Sequence, residues 1–228
     1  MQLTHHTPDF AVFDDFLAPD AAASLWHRLR DQEFHFVHAR RDGAWNRVYG
    51  LLDGSPLSGP GTINDPDGHF TGRFPDHANH PTGGATDCVV KQIEEAKPEL
   101  LPWTGRFGEN WHAFTSRPFL YPQGSGLAWH DDSGNRAASF VFYAHPEWQP
   151  SWGAELLVSP APSDDLDPER RHAHLTERPG QYVAPLPNRL VVIRSGVPHM
   201  IKKVEPHAGD RLRASVAGFF LRRPTVTG

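Results

Sequence analysis

Apolar and polar positions divide the chain into a mixed first half and a strand-rich second half. Phe10 to Phe16 reads as a short strand of aromatic and β-branched residues. Leu17-Ala18-Pro19-Asp20 then opens a helix, with Asp20 as its expected cap, and Ala21 to Arg30 sets Leu25, Trp26 and Leu29 at helical spacing. Phe34 to Val37 and Trp45 to Leu51 read as strands separated by the turn Arg41-Asp42-Gly43. Asp53 to Thr86 is dense in turn residues (GSPLSGPG, NDPDGH, NHPTGG) and is expected to be a long loop of the kind that forms lids or binding segments. Asp87 to Glu95 reads as a helix ending before Pro98.

From Asn110 onward the pattern is of strands: Trp111 to Thr115, Pro118 to Tyr121, Ala138 to Tyr143, Ala154 to Val158, Arg189 to Arg194 and Arg213 to Leu221. Ser159 to Asn188 interrupts them with the charged run SDDLDPERRHAH and is expected to be a solvated insertion. There is no internal repeat, and no linker separates two cores. The expectation is one domain over 1–228, with a helix-and-strand lead-in at about 1–109 and a mainly β core at about 110–222.

Composition narrows the function classes. An apolar fraction of 38% supplies a sizeable core. The net charge of -5, with no Lys/Arg-rich run, argues against a nucleic-acid or anionic-membrane surface. No apolar stretch approaches the roughly 20 residues that cross a bilayer. Cys88 is the only cysteine, which suits a reducing compartment, and the first ten residues lack a secretion signal, so a cytoplasmic location is expected. Oligomeric state is not readable from the sequence.

Candidate chemistry centres on Leu120 to Tyr143, LYPQGSGLAWHDDSGNRAASFVFY. His130 and Asp132 stand two apart, so an extended backbone sends both side chains to one side, where an imidazole and a carboxylate can grip one cation. With 15 histidines and 27 acidic residues such a pair arises easily by chance, so a third ligand is needed to give it meaning. His199, in RSGVPHMI just past the apolar strand Leu190 to Ile193, is the candidate. Two imidazoles and one carboxylate form the set that holds Fe(II) on one face and leaves other positions open. Asp131, adjacent to Asp132, is an alternative ligand; the His-x-Asp phase favours Asp132. On the last strand Arg213 and Ser215 share a face, where a guanidinium and a hydroxyl can bind a carboxylate, and Ala217 continues that face with room beside it. His69, His77 and His80 are read as solvated loop residues, and His172 and His174 as a His-x-His in a charged setting without strand character.

Five segments in order, YPQGSGLAWHDD, SFVFYAHPEW, WGAEL, NRLVVIRSGVPH and GDRLRASVAGFF, resemble the Fe(II)/2-oxoglutarate-dependent oxygenases, in particular their prolyl-hydroxylase-like branch. The resemblance spans about Trp111 to Leu221; where the family usually has Gly-Gly-Glu-Leu, this chain has Gly153-Ala154-Glu155-Leu156. It implies a double-stranded β-helix, or jelly-roll, core with N-terminal helices packed on the major sheet. It further implies that His130, Asp132 and His199 bind Fe(II), that Arg213 pairs with the distal carboxylate of 2-oxoglutarate helped by Ser215 and Tyr143, and that Tyr121 lines the same pocket. Arg213 stands further from His199 than the family's usual interval, which makes Arg211 a competitor; R-x-S followed by Gly218-Phe219 keeps the phase with Arg213.

The implied cosubstrates are 2-oxoglutarate and O2, with ascorbate as a supporting reductant. The implied reaction is hydroxylation of an unactivated C–H with release of succinate and CO2. An amino acid, an amino-acid derivative or a specialised metabolite is the expected substrate, with prolyl or peptidyl hydroxylation of a protein as the alternative and a non-catalytic jelly-roll binding module as the alternative of another class. Segment 53–86, the Trp45-Asn46-Arg47-Tyr49 segment and insertion 159–188 are candidates for a substrate lid.

Overall fold

The computed structural model describes residues 1–37, 56–160, 173–175 and 177–223. The expected strand Trp45 to Leu51, the turn at 41–43, the Trp45–Tyr49 lid candidate and His172 lie outside the described residues.

Strands β1 (Gln2–His6) and β2 (Phe10–Asp14) lead into helix α1 (Pro19–Arg30). The α1 N-cap is Ala18, which makes no side-chain cap; Pro19 opens the first turn and Asp20 lies inside it. Asp20 is therefore not the cap, and its carboxylate acts on the helix dipole instead. Strand β3 (His35–Phe36) is only two residues long. The stretch expected as loop between 53 and 86 contains β4 (Leu57–Ser58), β5 (Gly61–Asn64) and β6 (His77–Asn79), so this part is bound into a sheet. Helix α2 (Asp87–Glu95) ends as expected before Pro98, but α3 (Lys97–Thr104) starts at once, with Pro98 in its first turn, where a missing N–H costs nothing.

The second half runs β7 (Ala113–Tyr121), β8 (Leu127–His130), β9 (Arg136–Tyr143), β10 (Leu156–Val158), β11 (Gln181–Val183), β12 (Leu190–Arg194), β13 (His199–Ile201) and β14 (Arg213–Leu221). β7 is one strand where two were expected. The Pro118 carbonyl accepts from Gly59 N at 2.9 Å, so the missing N–H of Pro118 falls on that same side, in the gap between β4 and β5. No ladder bond is lost there.

The strands form two sheets. The larger has the order β1-β2-β12-β9-β14-β7-β4-β3, with β5 also on β7 and β6 parallel to β5; the smaller is β11-β10-β13-β8. This is a jelly-roll core. β11 lies within the expected insertion 159–188, so its C-terminal part belongs to the smaller sheet.

Strand periodicity assigns the two faces of the larger sheet. Phe13, Phe140, Phe142, Leu190, Val192, Val216 and Phe220 pack on one face against Leu25 and Leu29 of α1, Val89 and Ile93 of α2 and Leu100 of α3. Phe10, Val12, Val141, Tyr143, Val191 and Ile193 point the other way, toward Leu127, Leu156, Val158 and Ile201 of the smaller sheet. Central strands buried on both faces read as unbroken apolar runs, which is why LVVI and FVFY are so legible. Gly218 sits where β14 crosses closest to β7: a Cβ there would lie 1.7 Å from the Thr115 carbonyl oxygen. Among the described residues no helix is long and apolar enough to cross a membrane.

Candidate active site

The inner face of the smaller sheet carries the first part of the site. His130 ends β8 and His199 opens β13, and the two residues are direct cross-strand partners with ring centroids 4.3 Å apart. Each Nδ1 faces a main-chain carbonyl two residues back, His130 to Ala128 O at 2.8 Å and His199 to Val197 O at 2.9 Å. A carbonyl can only accept, so each Nδ1 carries the proton and each Nε2 is the nitrogen that could ligate a metal. Asp132 lies just beyond β8, buried, with Oδ2 3.3 Å from His199 Nε2.

Ligand atoms of His130, Asp132 and His199 all lie within 4.8 Å of one another. Asp131, the competing ligand, turns its Oδ1 back to accept from Ser133 N at 3.3 Å. Of the two carboxylates, it is Asp132 that belongs to the cluster that could hold a metal. Burial lowers the His130 pKa to about 4, and the neighbouring His199 charge works in the same direction. His130 is thus neutral at physiological pH, as a metal ligand must be. Burial pushes the Asp132 carboxyl up, but the hydrogen bond and charge of His199 outweigh it and hold Asp132 well below the usual carboxylate range. His199 is the counterpart: burial lowers it, and the bond to Asp132 more than reverses this. A divalent cation held by the same atoms would take the place of the His199 proton. One carboxylate and two imidazoles, convergent, with Asp132 and His199 buried and His130 half-buried, fit a divalent iron.

The second part lies on β14. Arg213 is fully buried, its Nη1 donating to Ser215 Oγ at 3.1 Å. Its guanidinium carbon sits 4.8 Å from the Tyr121 ring centroid and 4.9 Å from that of Tyr143. Arg213 Nε and Nη2 and the Tyr143 hydroxyl make no hydrogen bond among the described residues. A buried cation with open donors is costly unless an anion completes it, so these groups fit a carboxylate ligand. Burial raises the Tyr143 and Tyr121 hydroxyls, so both stay protonated. Arg211 is half-exposed, paired with Glu147 at 3.2 Å and laid over Trp152. It points away from this pocket.

Between the two parts lies a cavity of about 590 Å³, lined by His130, Asp132 and His199, by Tyr121, Ser215 and Ala217, and by apolar side chains that include Phe119 and Phe219. Arg213 and Tyr143 are not on its wall; they sit behind Tyr121 and Ser215. The opposite end is formed by Phe74, Asp76, His77 and Arg117, so the 53–86 stretch does contribute to the cavity.

None of the described loop histidines joins the cluster. His69 stacks edge-on to His112, His80 Nδ1 lies 3.2 Å from Asp87 Oδ1, and His77 is half-buried on β6; these are partnered positions rather than solvated ones. His174 is buried with Nε2 2.7 Å from Pro160 O. Sequence reasoning missed Arg136, whose Nη1 donates to Asp132 Oδ1 at 3.2 Å. A basic residue four positions after the carboxylate was the available signal.

Residues 118–221 match the family model of the 2OG-Fe(II) oxygenase superfamily. That stretch is similar to the 2OG-Fe(II) oxygenases, enzymes that use Fe(II), 2-oxoglutarate and O2, and His130, Asp132 and His199 of this chain could bind iron. Among solved structures, a prolyl-4-hydroxylase from Pseudomonas putida is similar at TM-score 0.60 and 20% identity, over 95% of this chain and 94% of that one. A prolyl hydroxylase from Trichoplax adhaerens, in complex with a hypoxia inducible factor peptide, gives 0.58 at 17% identity, over 94% and 84%. The non-heme α-ketoglutarate-dependent epimerase SnoN from nogalamycin biosynthesis gives 0.59 at 12% identity, over 97% and 81%. At these identities the likeness is one of fold. No curated protein sequence matches the chain.

Proposed function

We propose that the chain is an Fe(II)/2-oxoglutarate-dependent hydroxylase acting on an amino acid, an amino-acid-derived compound or a specialised metabolite. The observation that carries this reading is the pairing of two incomplete sites at one cavity: three convergent ligand atoms at one side, and a buried guanidinium with open donors behind another. Fe(II) and 2-oxoglutarate, when bound, supply the oxidising chemistry, which places one atom of O2 in succinate and the other in the hydroxylated product while CO2 leaves.

The chain's own residues bind, orient and exclude water. His130, Asp132 and His199 hold the iron. Arg213, with Ser215 and the Tyr143 hydroxyl, receives the distal carboxylate of 2-oxoglutarate, and Tyr121 covers that carboxylate's approach. The apolar lining of Phe119, Leu127, Val141, Ile193 and Phe219 keeps the interior dry, which strengthens each polar contact. The concave, mostly apolar cavity supports a small substrate seated beside Phe74, His77 and Phe219. N-terminal strands β1 and β2 extend the larger sheet, which supports reading 1–228 as one oxygenase domain. The lone cysteine fits a cytoplasmic setting, and ascorbate fits the role of a reductant that keeps iron ferrous.

The test is succinate release by the purified protein with Fe(II), 2-oxoglutarate, ascorbate and O2, across free amino acids, their derivatives and prolyl peptides. Succinate formed together with a small-molecule product one oxygen atom heavier supports the proposal. Turnover confined to prolyl peptides replaces it with protein hydroxylation, and no stimulated turnover on any substrate points to a binding module.

A further inference from the structure

Asp132 is held from two sides by groups that are not part of the three-ligand cluster. Ser195 Oγ donates to its main-chain carbonyl at 3.3 Å. Arg136 Nη1 donates to carboxylate Oδ1 at 3.2 Å, while Oδ2 faces His199. The Arg136 guanidinium carbon also lies 3.9 Å from the centroid of the Phe219 ring, so the flat cation is stacked as well as hydrogen-bonded. Side-chain exposure is 5% for Asp132 and 23% for Arg136, so solvent screens this pair far less than an ordinary surface bridge. The contact spans the two sheets: Asp132 follows β8 of the smaller, Arg136 opens β9 of the larger, and Gly134, with φ 82, turns the chain between them.

A carboxylate at the end of a broad χ2 well can present either oxygen, or both, to a cation. A charge-assisted hydrogen bond to one oxygen removes that freedom, and a guanidinium fixed on a ring face is better placed to do so than a mobile ammonium. We propose that Arg136 is a positioning residue: it fixes the rotation of the Asp132 carboxylate so that Oδ2 alone is offered to the metal. This rests on the reading of His130, Asp132 and His199 as the ligands.

The test uses Mn(II) as the probe, titrated anaerobically into wild type, Arg136→Gln, Arg136→Lys and His199→Ala, with affinity from calorimetry and line shape from electron paramagnetic resonance. Arg136→Gln is expected to bind Mn(II) on the order of ten- to a hundredfold more weakly, as for other residues that orient a metal ligand. Its bound Mn(II) spectrum should change, since both carboxylate oxygens become available. Arg136→Lys, which keeps the charge and loses the flat stacked face, should recover part of the affinity. Wild-type affinity and spectrum in Arg136→Gln overturn the inference. So does a loss that Lys does not recover and that is matched by a fall in the metal-free melting temperature, because the role is then structural. Failure of wild type to bind Mn(II), or unchanged binding by His199→Ala, overturns the ligand reading itself and is thereby distinguishable.

Discussion

Arg213 and Arg211, two residues apart, show how burial separates a candidate binding group from a surface one. Arg213 is enclosed between two tyrosine rings with donors open, whereas Arg211 is paired with Glu147 near solvent. Arg213→Ala is expected to weaken 2-oxoglutarate binding on the order of a hundredfold or more, the cost of leaving a buried carboxylate unpaired. Arg211→Ala should leave it within about twofold, because an exposed pair contributes little. Cosubstrate affinity measured on both variants decides between them; the opposite ranking would move the assignment to Arg211.

His145 makes a second residue-scale prediction. It is buried beside the start of β14, with Nε2 2.7 Å from Pro185 O and Nδ1 3.1 Å from Ala214 O. Burial lowers its pKa from 6.5 to about 4, against the Pro185 and Ala214 carbonyls, which favour the charged ring, and the Arg213 charge reinforces burial. Between those two values the unfolded chain binds a proton that the native chain refuses, so stability falls as pH drops from about 6.5 toward 4 and is fully present above that window. His130 adds a similar slope in the metal-free protein. The melting temperature of His145→Gln should therefore decline less steeply with acid than that of wild type over this range. Parallel slopes would show that His145 does not titrate as described.

At the scale of elements, the alignment of β14 on β7 and β9 is what places Arg213, Ser215 and Ala217 on the inner face. Thr115 O lies where a Cβ of residue 218 would project, so Gly218→Ala has to push β14 off its neighbour. The expected loss is at or beyond the upper end of the roughly 1–3 kcal/mol typical of overpacking, because the obstacle is backbone and cannot change rotamer. Urea unfolding measures it, and a change within error of zero would contradict the close approach.

The legible elements were those buried on two faces or with one strong apolar stripe: β9, β12, β14 and α2 fall where the pattern puts them. The elements that escaped have physical reasons. β1 is exposed along its whole length, α3 carries Pro98 and Pro102, and β4 to β6 are two to four residues long among glycines and prolines. Each is stabilised by tertiary pairing that local composition does not advertise. His130, Asp132 and His199 were readable because strand phase and motif order agree. Arg136 was visible only as a basic residue four positions after Asp132, and its contact with the carboxylate depends on how the 131–135 loop turns.

For the molecule as a whole, pairing of β13 with β8 brings His199 back to the 130/132 pair across nearly seventy positions of chain, and β14 of the larger sheet carries the proposed anion site behind the same cavity. On the proposed reading the fold gives a metal centre and a carboxylate receptor one common interior, while the helices pack on the outer face of the larger sheet. The most direct measurement is an anaerobic titration of the purified protein with Fe(II) and then 2-oxoglutarate, followed by the visible charge-transfer absorption of a keto acid chelated to ferrous iron. One iron per chain, with an absorption that saturates with 2-oxoglutarate and is absent from His130→Ala, Asp132→Ala and His199→Ala, is the predicted result. No iron binding by wild type, or an undiminished signal in any of the three variants, would contradict the account.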